Sequence, residues 1–235
     1  MELRVAARTD VGRVREGNED AFLIRHPIYA IADGMGGHLG GEVASKLAVD
    51  TVAGLAASGT PLAERIAEAN LAVLERSKSD RAVAGMGTTF TGVELADGVA
   101  HVAHVGDSRA YLFRAGTLEA LTEDHTLVHE LVRSGEIDEA AARTHPQRSV
   151  ILRCVGTEPT VVVDEGRVDL HTGDRLLLCS DGLTEMLDDA AVASLLGETA
   201  GDPDAAAERL VAAANDAGGS DNITVIVLDV VEAAS

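Results

Sequence analysis

Apolar Leu3, Val5, Ala6 and Ala7 set among polar Arg4, Arg8 and Thr9 make residues 3–9 read as a strand. A second apolar run covers 21–25, is broken by His26-Pro27, and resumes over 28–32 as a short strand ending at Asp33. The period then lengthens. Val43, Leu47, Val49 and Val52 recur at helical spacing from 42 to about 58, and Ile66, Leu71, Val73 and Leu74 do so over 61–77, so a pair of amphipathic helices is expected. Strand patterns return at 88–95, 99–105, 109–113 and 118–121. The short turns between them, Gly106-Asp107-Ser108 included, give this stretch the look of an antiparallel meander with Asp107 on a tight turn. Residues 123–153 interrupt it with a helix carrying Leu127, Val128, Leu131 and Val132, followed by polar helical turns. Strands at 161–168 and 175–179, helices at 190–196 and 204–217, and a final strand at 223–230 complete the chain. This order predicts an α+β fold with two antiparallel sheets and helices packed outside them.

Composition narrows the picture. The 235 residues suffice for a full core, and glycine and polar clusters are spread along the chain rather than gathered into a linker, so a single domain over 1–235 is expected. A net charge of −20, from 19 basic and 39 acidic residues, repels nucleic acid and anionic lipid. Cys154 and Cys179 both lie among apolar residues, the setting of inert buried thiols, and no disulfide is expected. There is no apolar signal core and no segment near the roughly 18 apolar residues of a membrane span. The expectation is a soluble, cytoplasmic monomer.

The chemistry lies in the acids. Asp20, Asp33, Asp107, Asp181 and Asp221 each border an apolar run beside glycine, serine or asparagine. One such aspartate is ordinary turn chemistry. Several converging without basic partners are hard to stabilise except around cations, and oxygen donors without cysteine favour magnesium or manganese. The glycine-rich stretch after Asp33, with glycine at 34, 36, 37, 40 and 41, is expected to be a turn that permits close approach. It is not a nucleotide cradle: a dinucleotide fingerprint would need glycine where Leu39 stands, and a P-loop lysine where Glu42 stands. Two such ions about 3.5–4 Å apart can share a water, lower its pKa and clamp an in-line displacement at phosphorus. Phosphate-monoester hydrolysis is the natural reaction, and Arg15, shortly before Asp20, is suited to bind the phosphate oxygens. The segment 123–153 gathers His125, His129, Arg133, Arg143, His145, Arg148 and Arg153. It reads either as a flap that meets an anionic substrate or as a solvated helical insertion.

Arg15-Glu16-Gly17-Asn18-Glu19-Asp20, Ala32-Asp33-Gly34-Met35-Gly36-Gly37-His38, Gly87-Thr88-Thr89, Gly106-Asp107-Ser108-Arg109, Ser180-Asp181-Gly182 and Ser220-Asp221-Asn222-Ile223-Thr224 together resemble the metal-dependent serine/threonine phosphatases of the protein phosphatase 2C (PPM) family, the compact bacterial members above all. The resemblance implies a four-layer αββα sandwich with a flap subdomain and a centre of two Mn(2+) or Mg(2+) ions. Carried over, Asp33 bridges the metals, Gly34 offers its carbonyl, Asp181 and Asp221 ligate directly, and Asp20 acts through water. Asp107, with Asp181, matches the ligands of a third ion. Arg15 matches the phosphate-binding arginine, and His145 and Arg148 fall in the substrate flap. The implied reaction is hydrolysis of phosphoserine and phosphothreonine by direct attack of a metal-bridging water, on phosphorylated proteins that serine/threonine kinases produce in bacterial signalling. Where animal members carry a histidine after Asp-Gly, this sequence has Met35, which leaves His38, or a water on the third ion, as a candidate general acid. The rival function is a catalytically silent binding module on the same fold, whose signature would be missing ligands; all the matched acids are present.

Overall fold

The computed structural model describes residues 2–232. In chain order, β1 (Glu2–Asp10), β2 (Asp20–Arg25) and β3 (Ile28–Met35) precede the helices α1 (His38–Gly54) and α2 (Leu62–Ser79). The short β4 (Gly87–Thr88) leads into β5 (Phe90–Ala96), β6 (Val99–Val105), β7 (Arg109–Arg114) and β8 (Thr117–Ala120). The flap segment forms α3 (Leu127–Arg133) and α4 (Glu139–Thr144). Then come β9 (Asp164–Asp169), β10 (Arg175–Cys179), the single turn α5 (Asp181–Thr184), α6 (Asp189–Glu198), α7 (Pro203–Asp216) and β11 (Ile223–Val231).

One five-stranded sheet has the order β1-β11-β10-β7-β8; a six-stranded sheet has the order β2-β3-β5-β6-β9, with β4 beside β3. The paired strands are antiparallel. Three apolar clusters explain the layering. Tyr29, Ile31, Val93 and Val102 of one sheet interdigitate with Leu112, Leu178, Ile226 and Leu228 of the other. The outer face of the six-stranded sheet packs on Ala44, Ala48, Val52, Ile66 and Val73 of α1 and α2. The outer face of the five-stranded sheet packs on Val192, Leu196, Ala207, Leu210 and Ala214 of α6 and α7. Central strands thus meet apolar layers on both sides, which is why β10 and β11 are almost unbroken apolar runs rather than alternating ones. The result is the αββα sandwich expected of the sequence.

The starts of α6 and α7 follow capping chemistry. Asp188 accepts from the Ala191 N–H at 2.8 Å, and Asp202, followed by Pro203, accepts from the Ala205 N–H at 3.0 Å. Among the described residues no helix is long and apolar enough to cross a membrane.

The structure corrects three local expectations. Strands 99–105 and 109–113 are not neighbours in a meander: β6 pairs with β5 and β9, and β7 with β10 and β8, so Gly106-Asp107-Ser108 carries the chain from one sheet to the other. The first helix begins at His38 rather than 42, so Gly40 and Gly41 are helical, and the turn is confined to Gly36 and Gly37, at φ +122° and +81°. Gly41 is needed for closeness instead, since a Cβ there would lie 1.9 Å from the Glu19 carboxylate. The strand expected at 161–168 pairs only from Asp164, although Val161 and Val163 still pack against the core.

Candidate metal centre

Both sheets contribute acids to one end of the sandwich. Asp20 opens β2 directly opposite Asp33 on β3, so the ladder itself sets two carboxylates side by side. Asp33 does not end its strand, which runs to Met35; its main chain is held by Thr88 and Thr89. The Thr88 hydroxyl donates to the Asp33 carbonyl at 2.8 Å, the Thr89 N–H donates to the same oxygen at 2.9 Å, and the Asp33 N–H donates to Thr89 Oγ1 at 2.9 Å. Asp181 starts α5 immediately after β10, Asp221 lies two residues before β11, and Asp107 sits in the crossing between sheets.

The carboxyl groups feel one another directly. Those of Asp33 and Asp181 lie within hydrogen-bonding reach, as do those of Asp20 and Asp33. In the cation-free protein Asp33 is pushed well up, first by burial and then by the charges of Asp20, Asp181 and Asp107. Asp181 is likewise raised by burial, then by Asp107 and Asp221. Burial takes Asp20 up to about 6 against hydrogen bonds from Thr224 and Ser180, and takes Asp107 to about 7 with Asp124 adding to it. Three oxygens, Asp20 Oδ1, Asp107 Oδ1 and Asp181 Oδ1, are buried with no hydrogen-bond partner.

This donor set fits hard divalent cations: buried, partnerless carboxylate oxygens with mutual repulsion are what such ions neutralise. Among the described residues no three acids, histidines or cysteines already form a closed ligand set, so a cation would have to draw these neighbours together. Gly34, the expected carbonyl donor, is buried between Asp33 and Met35. Open grooves of about 410 and 570 Å³ lie elsewhere, along α1 and α2 around Leu71 and Glu75, and none of these aspartates lines them.

Arg15 is half-exposed, and its guanidinium reaches Asp221 Oδ2 at 2.6 Å, which sets one cation at the rim of the cluster. Its loop is clamped by Asn222, whose role the sequence pattern did not disclose. The Asn222 amide donates to the carbonyls of Val11 and Gly17 at 3.0 and 2.9 Å, and its oxygen accepts from the Glu19 N–H at 2.8 Å. Ser180 was also missed; its hydroxyl donates to Asp20 Oδ2 at 2.8 Å and accepts from the Thr224 N–H at 2.9 Å. The only signal for these residues was their place inside the short polar motifs. Of the flap residues, Arg148 comes within 3.9 Å of Glu185, just beyond α5, whereas His145 makes only a local contact, its Nδ1 accepting from the Gln147 N–H at 3.1 Å. No side chain of α3 or α4 is buried, and Arg133 and His129 face Glu130 and Glu123 within the flap. The side chain of His38, the candidate general acid, lies outside what is described; its backbone opens α1.

The family model for protein phosphatase 2C matches residues 14–213. The chain belongs to the protein phosphatase 2C family. Relatives within it include the serine/threonine phosphatase stp of Listeria welshimeri serovar 6b, 41% identical over 237 residues and matched over 94% of each chain. The serine/threonine protein phosphatase PstP of Mycobacterium tuberculosis is also 41% identical, over 99% of this chain but only 46% of its own length. A crystal structure of the M. tuberculosis phosphatase PstP/Ppp superposes with a TM-score of 0.90 at 38% identity, covering 98% of this chain and 99% of that one. The catalytic domain of PstP in complex with 2 manganese ions does so with a TM-score of 0.87 at 37% identity, covering 98% and 99%. The protein phosphatase 2C family is metal-dependent, in keeping with the partnerless carboxylates.

A pH dependence follows for the cation-free protein. Folded Asp20 and Asp107 hold protons that the unfolded chain has released, so their penalty is complete above a pH of about 7 and is relieved as the pH falls through about 7 and about 6. Buried His104 and His125, whose pKa values burial lowers, act in the opposite sense below the usual 6.5. The expected result is a Tm that rises when cation-free protein is moved from about pH 8 to about pH 6.5, with manganese flattening the dependence. Scanning calorimetry checks it, and a Tm that falls over that interval would contradict it.

Proposed function

We propose that the protein is a metal-dependent serine/threonine phosphatase that hydrolyses phosphoserine and phosphothreonine in phosphorylated proteins, in a bacterial signalling role opposite serine/threonine kinases. The observation that carries this reading is the set of buried, partnerless oxygens of Asp20, Asp107 and Asp181 with Arg15 at its rim. Asp33, Asp181 and Asp221 would hold a pair of manganese or magnesium ions, with Gly34 as carbonyl donor and Asp20 acting through water. Asp107 and Asp181 would hold a third, weaker ion. Bound there, such ions supply positive charge to the phosphoryl group and lower the pKa of the attacking water.

The chain's own residues do the rest. Arg15 binds the non-bridging phosphate oxygens through its planar fork, on a loop that Asn222 fixes at both ends. Ser180 orients Asp20, while Thr88 and Thr89 fix the main chain of Asp33. Met35 has no proton to give, so protonation of the leaving alkoxide falls to another group.

The test is phosphate release from a phosphothreonine peptide with manganese. EDTA and Asp181→Ala are each expected to reduce it more than about 100-fold, the upper end of what losing even an outer-sphere partner costs. Equal activity in all three samples would reject the reading in favour of a silent binding module.

A further inference from the structure

Two histidines that the proposed chemistry does not use lie between the acids and the flap. His104, near the end of β6, and His125, at the flap's root, are 1% and 7% exposed, with ring centroids 4.7 Å apart and planes inclined at 33°. The hydrogen bonds of His125 fix its tautomer. The Gly106 N–H donates to His125 Nδ1 at 3.0 Å, so Nδ1 carries no proton and Nε2–H donates to Asp164 Oδ2 at 3.1 Å. Arg153, 3.0 Å from the same Nε2, then directs its hydrogens to Asp164 and to the Val162 carbonyl. In His104, Nε2–H donates to the Glu123 carbonyl at 3.0 Å, and Nδ1 lies 2.8 Å from the Thr91 hydroxyl, which itself donates to the Ser108 carbonyl at 2.8 Å.

The main chain of His125 doubles the connection. Its N–H donates to the Gly106 carbonyl at 2.7 Å, so residue 125 grips Gly106 at both backbone groups. Its carbonyl accepts from the Leu152 N–H at 2.8 Å, and the Leu127 N–H donates to Val150 at 2.9 Å, so the entering and leaving strands of the flap close at this residue. Gly106 in turn has φ +113°, and a Cβ there would lie 2.6 Å from the side chain of Thr89, which holds the Asp33 N–H. A continuous line of contacts therefore joins the flap root, the Gly106-Asp107 crossing and the main chain of Asp33.

We propose that His125 is a positioning residue that locks the flap to the Gly106-Asp107 crossing, so that the flap's seating sets the Asp107 carboxylate and the cation site it serves. The cation arm of this proposal rests on Asp107 being a ligand, as in the proposed function; the arm concerning the clasp does not. Side-chain stereochemistry supplies the discriminating variants. The oxygen of an asparagine falls near the position of Nδ1 and keeps an acceptor for Gly106, whereas a glutamine reaches the position of Nε2 and leaves the Gly106 N–H unmet.

The experiment compares intact protein with His125→Asn and His125→Gln by backbone amide exchange without metal and by manganese titration of activity. In His125→Gln, exchange of the Gly106 amide is expected to accelerate about tenfold or more, and the manganese concentration for half-maximal activity to rise by a similar factor, while His125→Asn stays within about threefold of the parent. Glutamine and asparagine variants that behave alike, or a Gly106 amide protected in both, would overturn the clasp. Accelerated Gly106 exchange with an unmoved manganese requirement would overturn the coupling. Asp107→Asn separates the causes: if it too leaves the manganese requirement unmoved, the assignment of Asp107 as a ligand fails and the cation arm fails with it, whereas a requirement that rises in Asp107→Asn but not in His125→Gln counts against His125 alone.

Discussion

Asp33→Asn is expected to abolish turnover and yet make the cation-free protein harder to unfold. Asp33 carries the burden of the cluster: its carboxyl is desolvated and faces the charges of Asp20, Asp181 and Asp107. Asparagine keeps the shape, removes the charge and offers N–H donors to the neighbouring carboxylates, while its backbone contacts with Thr88 and Thr89 are untouched. A gain of roughly 0.5–2 kcal/mol in the absence of cation is the scale reached when a strained functional site is relaxed. The parent has the opposite advantage once metal is present. A ligand that binds only the folded state at about 100 times its Kd stabilises by about 2.7 kcal/mol, and the variant should gain far less of this. Thermal unfolding in EDTA and in manganese, beside phosphate release, measures both halves. A variant less stable than the parent in EDTA, or still fully stabilised by manganese, would show that residue 33 is not the centre of the repulsion or of the site.

The same acids mark where the sequence was readable and where it was not. Periodicity is a local property, and it located β6, β10, β11 and the paired helices to within a few residues because each buries its face over its own length. It could not say which sheet a strand joins. The strands on either side of Gly106-Asp107-Ser108 have ordinary strand patterns, so the crossing between layers looked like a hairpin turn, and only long-range pairing to β9 and β10 decides otherwise. The acids were legible as a group since each interrupts an apolar run. Their supports were not: Ser180 reaches Asp20 across 160 positions and Asn222 reaches Val11 across 211, and no spacing rule registers such contacts. His125 was visible only as one of several basic residues in the flap, and the burial that separates it from His145 and Arg148, beside the tilted ring of His104, is a tertiary property.

Asp229→Ala is expected to cost about 3–5 kcal/mol, the penalty for leaving one half of a buried ion pair alone. Arg175 and Asp229 face each other in the β10–β11 register, both nearly inaccessible, and the bond from Arg175 Nη2 to Asp229 Oδ2 is 2.8 Å. The remaining donors of the fork close the end of α6: Nη1 donates to the Leu196 carbonyl at 2.8 Å, and Nη2 to the Thr199 carbonyl at 3.0 Å. The arginine therefore joins two central strands to the C-terminus of a helix, where cation and carbonyl charges complement each other. Removing the aspartate leaves a guanidinium desolvated without its counter-charge; removing the arginine strands a carboxylate and the carbonyls it capped. For a chain of this size such a loss corresponds to a fall in Tm on the order of 10 °C. The paired replacement Arg175→Met with Asp229→Leu leaves no isolated charge, so it should cost clearly less than the two single losses added together. Catalysis per folded molecule should be unchanged in all of them, because the pair lies toward the opposite end of β11 from Asp221. Urea unfolding of Arg175→Met, Asp229→Leu and the double variant measures the coupling directly. Single losses below about 1 kcal/mol would mean that water reaches the pair and that it is an ordinary surface bridge.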